Sequence, residues 1–169
     1  MLVMGIDTSG EMCTAGLCNE KGIRGEINIY LSHRHSEELL SNIDFLLKQS
    51  GHSMEELGGL CVAVGPGSFT GLRIGLSTVK TFAQVLRIPV VGISTLDLLA
   101  YSSSIDRGWL VPVIDARHRR VYTSLYENRR SDIRSAKKWS DQALKGDELL
   151  EKLSDNDPEG IYYLIGNGQ

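Results

Sequence analysis

The sequence predicts an α/β protein of two duplicated lobes, each a mixed sheet flanked by helices, with the second lobe incomplete. Three observations carry that expectation. Short runs of β-forming apolar residues alternate with stretches of helical, amphipathic spacing. Two landmarks recur: an apolar run ending in Ile6-Asp7 returns at Ile114-Asp115, 108 residues on, and the glycine turn Gly65-Pro66-Gly67 returns as Gly166-Asn167-Gly168, 101 residues on. Between these landmarks the order is the same in both halves, strand-strand-strand-helix-strand. A content of 41% hydrophobic and 23% charged residues, with 18 glycines and 4 prolines, supports a packed interior and excludes a fibrous repeat or a disordered chain.

Leu2–Asp7 reads as the first strand, and Thr8-Ser9-Gly10 as the turn after it. Met12–Asn19 and Ile23–Leu31 are strands joined through Glu20-Lys21-Gly22. His35–Ser50 carries Leu39, Leu40, Ile43, Leu46 and Leu47 at the spacing of one helical face, with Ser36, Glu37 and Glu38 at its start and Gly51 at its stop. Leu60–Val64 is a short buried strand, and Gly71–Leu86 a second helix with Leu72, Leu76, Val79, Phe82, Ala83 and Leu86 on one stripe. Pro89–Gly92 forms the last strand of the lobe and Thr95–Tyr101 a short helix. The second copy then offers strands at Leu110–Asp115, Arg120–Glu127 and Ile133–Trp139, a helix over Ser140–Leu153 and a strand at Ile161–Ile165. The expected domains are therefore 1–105 and 106–169, and a complete second copy would need roughly 40 residues beyond Gln169.

Charge and cysteine usage narrow the function. A formal charge of −3 argues against a dedicated nucleic-acid binder, which carries a large basic excess. No apolar run approaches the ~20 residues that cross a bilayer, and Asp7 interrupts the apolar N-terminus, so neither a membrane span nor a secretory signal is expected. Cys13, Cys18 and Cys61 are odd in number and lack CxxC spacing, which excludes a disulfide scaffold or zinc ribbon and fits free thiols in the cytoplasm.

Two loops are candidates for chemistry. Asp7-Thr8-Ser9 follows a strand, where an acid can hold hydrated Mg²⁺ and the hydroxyls and N–H groups of a turn can contact phosphate. The same residues also make an ordinary turn by side-chain to backbone bonding. Gly65-Pro66-Gly67-Ser68-Phe69-Thr70-Gly71-Leu72-Arg73-Ile74-Gly75 is more specific. Gly65, Gly67, Ser68 and Thr70 before a helix can aim N–H groups at an anion, or Ser68 or Thr70 can simply cap the helix. No Lys-Ser/Thr follows, so this is not a Walker loop, and Ser68 lacks the full G-x-S-x-G of a nucleophile elbow. Gly75 inside a helix costs about 1 kcal/mol against Ala, a cost that close approach of another helix near Ser77 and Thr78 explains. His33, His35, His52 and His118 form no carboxylate-histidine cluster of helical spacing. No catalytic residue and no metal site follow from these patterns.

The loop Gly65–Gly75, GPGSFTGLRIG, resembles the signature of the TsaB (YeaZ) family, which serves the machinery that makes threonylcarbamoyladenosine on tRNA. Gly5–Ser9, His35-Ser36-Glu37, Pro89–Ser94, Val113–Arg117 and Val121-Tyr122 resemble it too, so the likeness covers about residues 2–126. Ser41-Asn42, where the family often has proline after the paired leucines, and Gly10, where it has a larger residue, depart from the pattern. The resemblance implies an actin-like fold, shared with sugar kinases and Hsp70-like ATPases. It implies a non-catalytic partner of the catalytic paralogue TsaD, helping to recruit the ATPase TsaE, with tRNA reached through the complex. The two histidines of the TsaD metal motif fall on Thr95 and Leu99 here, so no intrinsic cofactor is expected and ATP or ADP only at the partner interface. The alternative is a nucleotide- or metal-dependent enzyme of the same superfamily, built on Asp7.

Two surfaces remain. Leu39, Leu40, Ile43, Leu46 and Leu47 of the first helix and Leu72, Gly75, Thr78 and Val79 of the second carry more apolar surface than one sheet face covers. They are the expected contact for TsaD, or for a second copy when the protein is alone, unless both helices are buried against the second lobe. Arg117–Lys138 holds eight Lys/Arg against Glu127 and Asp132, a net +6, and reads either as a face for tRNA or an acidic partner or as a solvated hairpin.

Overall fold

The computed structural model describes residues 1–30, 35–105, 107–127 and 137–167. The chain divides into two compact units, Met1–Ile93 and Ser94–Gln169.

In the first unit β1 (Leu2–Asp7), β2 (Met12–Asn19), β3 (Gly22–Tyr30), β4 (Leu57–Ala63) and β5 (Val90–Ile93) form one sheet of order β3-β2-β1-β4-β5. β1 pairs antiparallel with β2 and parallel with β4, and β2 pairs antiparallel with β3. The strict alternation of β1 puts Leu2, Met4 and Ile6 on one face, beside Cys13, Ala15 and Leu17 of β2. Against that face lie α1 (His35–Ser50), through Leu39, Ile43, Leu46 and Leu47, and α2 (Phe69–Leu86), through Val79 and half-buried Leu76, Phe82 and Leu86. β4 begins three residues before the expected Leu60. Gly58 and Gly59 are weak strand formers, but a central position between β1 and β5 overrides propensity there.

The second unit holds α3 (Thr95–Ser102), β6 (Trp109–Asp115), β7 (Arg120–Thr123), β8 (Tyr126–Glu127), β9 (Gln142–Lys145), α4 (Gly146–Asn156) and β10 (Tyr162–Gly166). Its sheet runs β10-β6-β7-β9, with β10 parallel to β6 and the other pairs antiparallel. Read from β9, this is the order and direction of β3-β2-β1-β4, so the strand-strand-strand-helix-strand unit occurs twice. The likeness reaches single atoms. Asp7 Oδ1 accepts from Ser9 N at 2.8 Å, and Asp115 Oδ1 accepts from Arg117 N at 2.7 Å. The first unit continues past β4 into α2 and β5; the described part of the second reaches Asn167.

Three expectations are corrected. Gln142–Lys145, expected to be helical, is β9, and the helix starts at Gly146. Ala143 and Leu144 are good helix formers, but pairing with Tyr122 and Val121 and the packing of Leu144 on the core win. The third strand of the repeat is thus β9; of the stretch expected to supply it, residues 133–136 lie outside the described residues and Lys137 makes only an isolated bridge to Tyr126. The expected strand Arg120–Glu127 breaks at Ser124-Leu125, where Leu125 O accepts from Lys138 N at 2.7 Å and the Ser124 hydroxyl donates to Trp139 O at 2.6 Å. Finally, a boundary at 105/106 would leave α3 in the first domain. α3 packs on β6 and β10, and Asp97 accepts from Tyr126 and Lys137, so the division falls before it.

One turn is strained. Between β6 and β7, Arg117, His118 and Arg119 have φ of 60°, 52° and 58°. Each left-handed non-glycine residue costs roughly 1–2 kcal/mol.

Candidate functional site

The structure brings the two candidate loops together, but as a packing joint. The β1–β2 turn lies on the first two turns of α2. Thr8 Oγ1 donates to Gly71 O at 2.7 Å, and Ser9 O accepts from Ser68 N at 2.7 Å. Thr8 and Ser9 are buried. A Cβ at Gly67 would collide with Ser9, at Gly71 with the Thr8 carbonyl, and at Gly75 with the Thr8 hydroxyl. Gly71 and Gly75 leave two bare patches on one face of α2, with Gly67 just before the helix, and that is where the turn rests. The spacing was visible in the sequence; that the occupant is Thr8, not another helix, was not.

This joint uses several of the groups proposed for phosphate. Ser68 N is taken by Ser9 O, Gly71 N by the Ser68 hydroxyl at 3.2 Å, and Leu72 N by Ser68 O. Ser68 is therefore the cap of α2, and the helix begins at Phe69. The Thr8 hydroxyl points inward to Gly71, and Asp7 Oδ1 holds its own turn. Gly65 is buried with φ of 102°, and Thr70 is exposed on the first turn. Asp7 also acts on Cys13: burial first, then the Asp7 and Glu38 carboxylates, push this thiol above its ordinary value.

The expected partner residues divide sharply. Leu39, Ile43, Leu46, Leu47 and Val79 belong to the core of the first unit, and Gly75 is buried under Thr8. Leu72 and Thr78 are half-buried, and Leu40 is exposed. The wide apolar arc of α1 is explained by its packing on both β2 and β3: Gly25 lets Leu46 in, since a Cβ there would sit 2.9 Å from its Cδ1. The outer face of α1 offers the expected Leu40 and, beside it, Phe45, a residue that sequence periodicity did not single out.

Thr95 and Leu99 lie one turn apart on α3. One hydroxyl, buried without a partner, and one hydrocarbon side chain do not fit an iron or zinc ion. His33 lies outside the described residues; His52 pairs with Glu56 at 2.8 Å, and His118 is exposed. Among the described residues no three His, Cys, Asp or Glu side chains gather. Of the basic stretch, residues 128–136 lie outside the described residues. Lys137 is held by Asp97 at 2.7 Å and Asp141 at 2.6 Å, and Lys138 by Glu127 at 3.1 Å. Burial opposes the charge on Lys137, but the hydrogen bonds it donates to Asp141 and Asp97 outweigh that and hold the ammonium well above the usual lysine range. No helix among the described residues is long and apolar enough to cross a membrane.

Comparison with known proteins gives the chain a family. The family model described as "TsaD: tRNA N6-adenosine threonylcarbamoyltransferase" matches residues 22–155. The chain is 33% identical over 157 residues to the tRNA threonylcarbamoyladenosine biosynthesis protein TsaB of Bacillus subtilis, covering 93% of this chain and 68% of that one. It is 28% identical over 170 residues to TsaB of Escherichia coli, covering 99% of this chain and 72% of that one. Among solved structures, YeaZ from Pseudomonas aeruginosa superposes with a TM-score of 0.74 at 28% identity, over 85% of this chain and 66% of that one. A second Pseudomonas aeruginosa structure, described as similar to peptidase YEAZ, reaches a TM-score of 0.79 at 27% identity with the same coverage. The chain therefore belongs to the TsaB (YeaZ) family, within the wider family that the TsaD model describes.

Proposed function

We propose that this protein is a non-catalytic subunit in the synthesis of threonylcarbamoyladenosine on tRNA, pairing with a TsaD-type catalytic subunit and helping to recruit a TsaE-type ATPase in the cytoplasm. The carrying observation is the 33% identity to a named TsaB over 93% of the chain. The site supports a scaffold in a second way. Thr8, Ser9, Ser68 and Gly71 satisfy one another, and Thr95 with Leu99 supplies no metal ligand set. Any ATP or ADP then binds only where a partner completes the site.

Pairing uses the outer faces of α1 and α2, around Leu40, Phe45 and half-buried Leu72 and Thr78, and the same faces form a homodimer when TsaD is absent. An arginine at Gly75 would break the Thr8 joint and so would not report on this surface. Leu40→Asp with Phe45→Asp does report on it, because both side chains are exposed and neither holds the core. The expected outcome is a protein with unchanged melting temperature that no longer co-elutes with the TsaD-type subunit and fails to restore the modified nucleoside in cells lacking their own TsaB. A wild-type chain that neither pairs with that subunit nor restores the nucleoside would overturn the reading.

A further inference from the structure

We propose that the tip of the β6–β7 hairpin is a contact for the phosphate backbone of tRNA. The inference rests on the tRNA-modification reading above, and adds to it a direct contact made by this chain. The first observation is the backbone. Arg117, His118 and Arg119 occupy three consecutive left-handed positions, where glycine or asparagine is the ordinary choice. All three are exposed, and no ion pair holds either arginine among the described residues. The hydrogen bonds of the turn are made by its main chain: Ala116 N to Arg120 O at 3.0 Å, Arg120 N to Arg117 O at 3.0 Å, and Arg117 N to Asp115 Oδ1 at 2.7 Å. Glycines would make them equally well and without strain, so the fold does not require these side chains.

The second observation is the register. Arg120 stands directly opposite Lys145 in the β7–β9 pair, and like charges so placed repel. Among the described residues no ion pair joins a carboxylate to this cluster. Asp115 opens the turn, and Glu148 accepts from Lys145 N at 2.9 Å while Asp147 lies beside it on α4. Arg117, Arg119, Arg120 and Lys145 thus crowd one end of a sheet in a chain of net charge −3. The repulsion is relieved when an anion neutralises the arginines, whose planar guanidinium groups fit phosphate oxygens, and backbone strain of this kind gathers at binding sites. The anion is a polyphosphate backbone and not an acidic protein face, because Ala116 is the one apolar residue from Asp115 to Arg120, and a protein interface needs an apolar centre.

The test is binding of unmodified tRNA, by fluorescence anisotropy across a salt series, to the full chain alone and with the TsaD-type subunit. Arg117→Ala/Arg119→Ala/Arg120→Ala should weaken binding about tenfold or more and lower the slope of log Kd against log salt by about 2–3, at ~0.7–0.9 per lost phosphate contact. The Arg→Lys triple should keep the slope. Arg117→Gly/Arg119→Gly separates binding from structure: binding falls while the melting temperature stays level or rises, since glycine relieves the left-handed positions. Equal affinity and slope for the Ala triple overturn the proposal, as does a wild-type chain without measurable tRNA binding, alone or paired. A triple that binds tRNA normally but loses the TsaD-type subunit overturns it in favour of a protein contact. Each of these leaves the subunit reading standing, because wild-type pairing and nucleoside restoration are scored separately.

Discussion

Thr8 sets the chemistry of the first unit at the scale of a residue. Its hydroxyl, carbonyl and methyl all face α2, where Gly71 and Gly75 make room for it, and Gly67 just before the helix makes room for Ser9. The contacts differ in kind, which makes them separable. Gly75→Ala places a methyl against the Thr8 hydroxyl and should cost about 2–3 kcal/mol by overpacking, net of the better helix propensity of alanine. Thr8→Ala removes that hydroxyl and leaves Gly71 O without its donor, at about 1–2 kcal/mol. In the double variant the new methyl has room, so the two changes should fall short of additivity by at least about 1 kcal/mol. Gly71→Ala meets the Thr8 carbonyl instead, and Thr8→Ala should not rescue it. Urea denaturation of the four variants and the wild type checks this, and full additivity at Gly75 would mean that Thr8 is not what the glycine accommodates. The sequence displayed the glycines at intervals of four but not their partner. Thr8 lies more than sixty residues away, and periodicity within one element carries no information about what rests on it.

Among the elements, α3 shows how a side-chain network assigns a helix to a unit. Asp97 accepts from the Tyr126 hydroxyl at 2.5 Å and from Lys137 Nζ at 2.7 Å, while Ser94 donates to Asp141 Oδ2 at 2.7 Å and caps the helix at Leu96 N. Asp97→Ala should destabilise the protein by about 2 kcal/mol, because it leaves a half-buried ammonium with one carboxylate and a buried phenol with none. Hydrogen exchange should show the loss in α3 first. Burial, then the bond to Asp97, raises Tyr126, and Lys137 is raised as well. Groups raised on folding contribute stability that is complete below their unfolded values, near pH 10, and lost as pH climbs through the folded ones. The contribution of the network should thus be flat from about pH 6 to 9 and decline only in alkali. A decline in its contribution centred near neutrality would assign the helix anchor to another group. None of this was legible beforehand, since Asp97 and Lys137 are forty residues apart. What was legible was regular: β1, β2 and α1 matched their expected bounds because alternation of two and spacing of 3.6 were undisturbed there. β9 was misread because Ala143 and Leu144 favour helix and the strand that pairs them comes twenty residues earlier.

For the whole molecule, duplication of topology does not mean duplication of stability. The first unit gathers one continuous core around Met4, Ile6, Leu17, Leu39, Leu60 and Val79, closed by two helices on a sheet of five strands. Among the described residues the second unit has two smaller clusters, one around Val111, Val113, Leu125, Leu149 and Leu153, the other around Ala100, Leu110 and Tyr126. The sheet order is repeated, but the buried apolar surface that stabilises a fold is not shared equally. A fragment of Met1–Ile93 should therefore fold alone, with a cooperative urea transition and a stability on the order of 5 kcal/mol. A fragment of Ser94–Gln169 should show secondary structure by circular dichroism but a broad, weakly cooperative transition, because its clusters leave little margin over chain entropy. The two unfold independently only if each core is self-sufficient, so the comparison is direct. A sharp transition for Ser94–Gln169 together with an unfolded Met1–Ile93 would reverse the assignment. It would place the stabilising core in the half of the chain that carries the strained arginine turn.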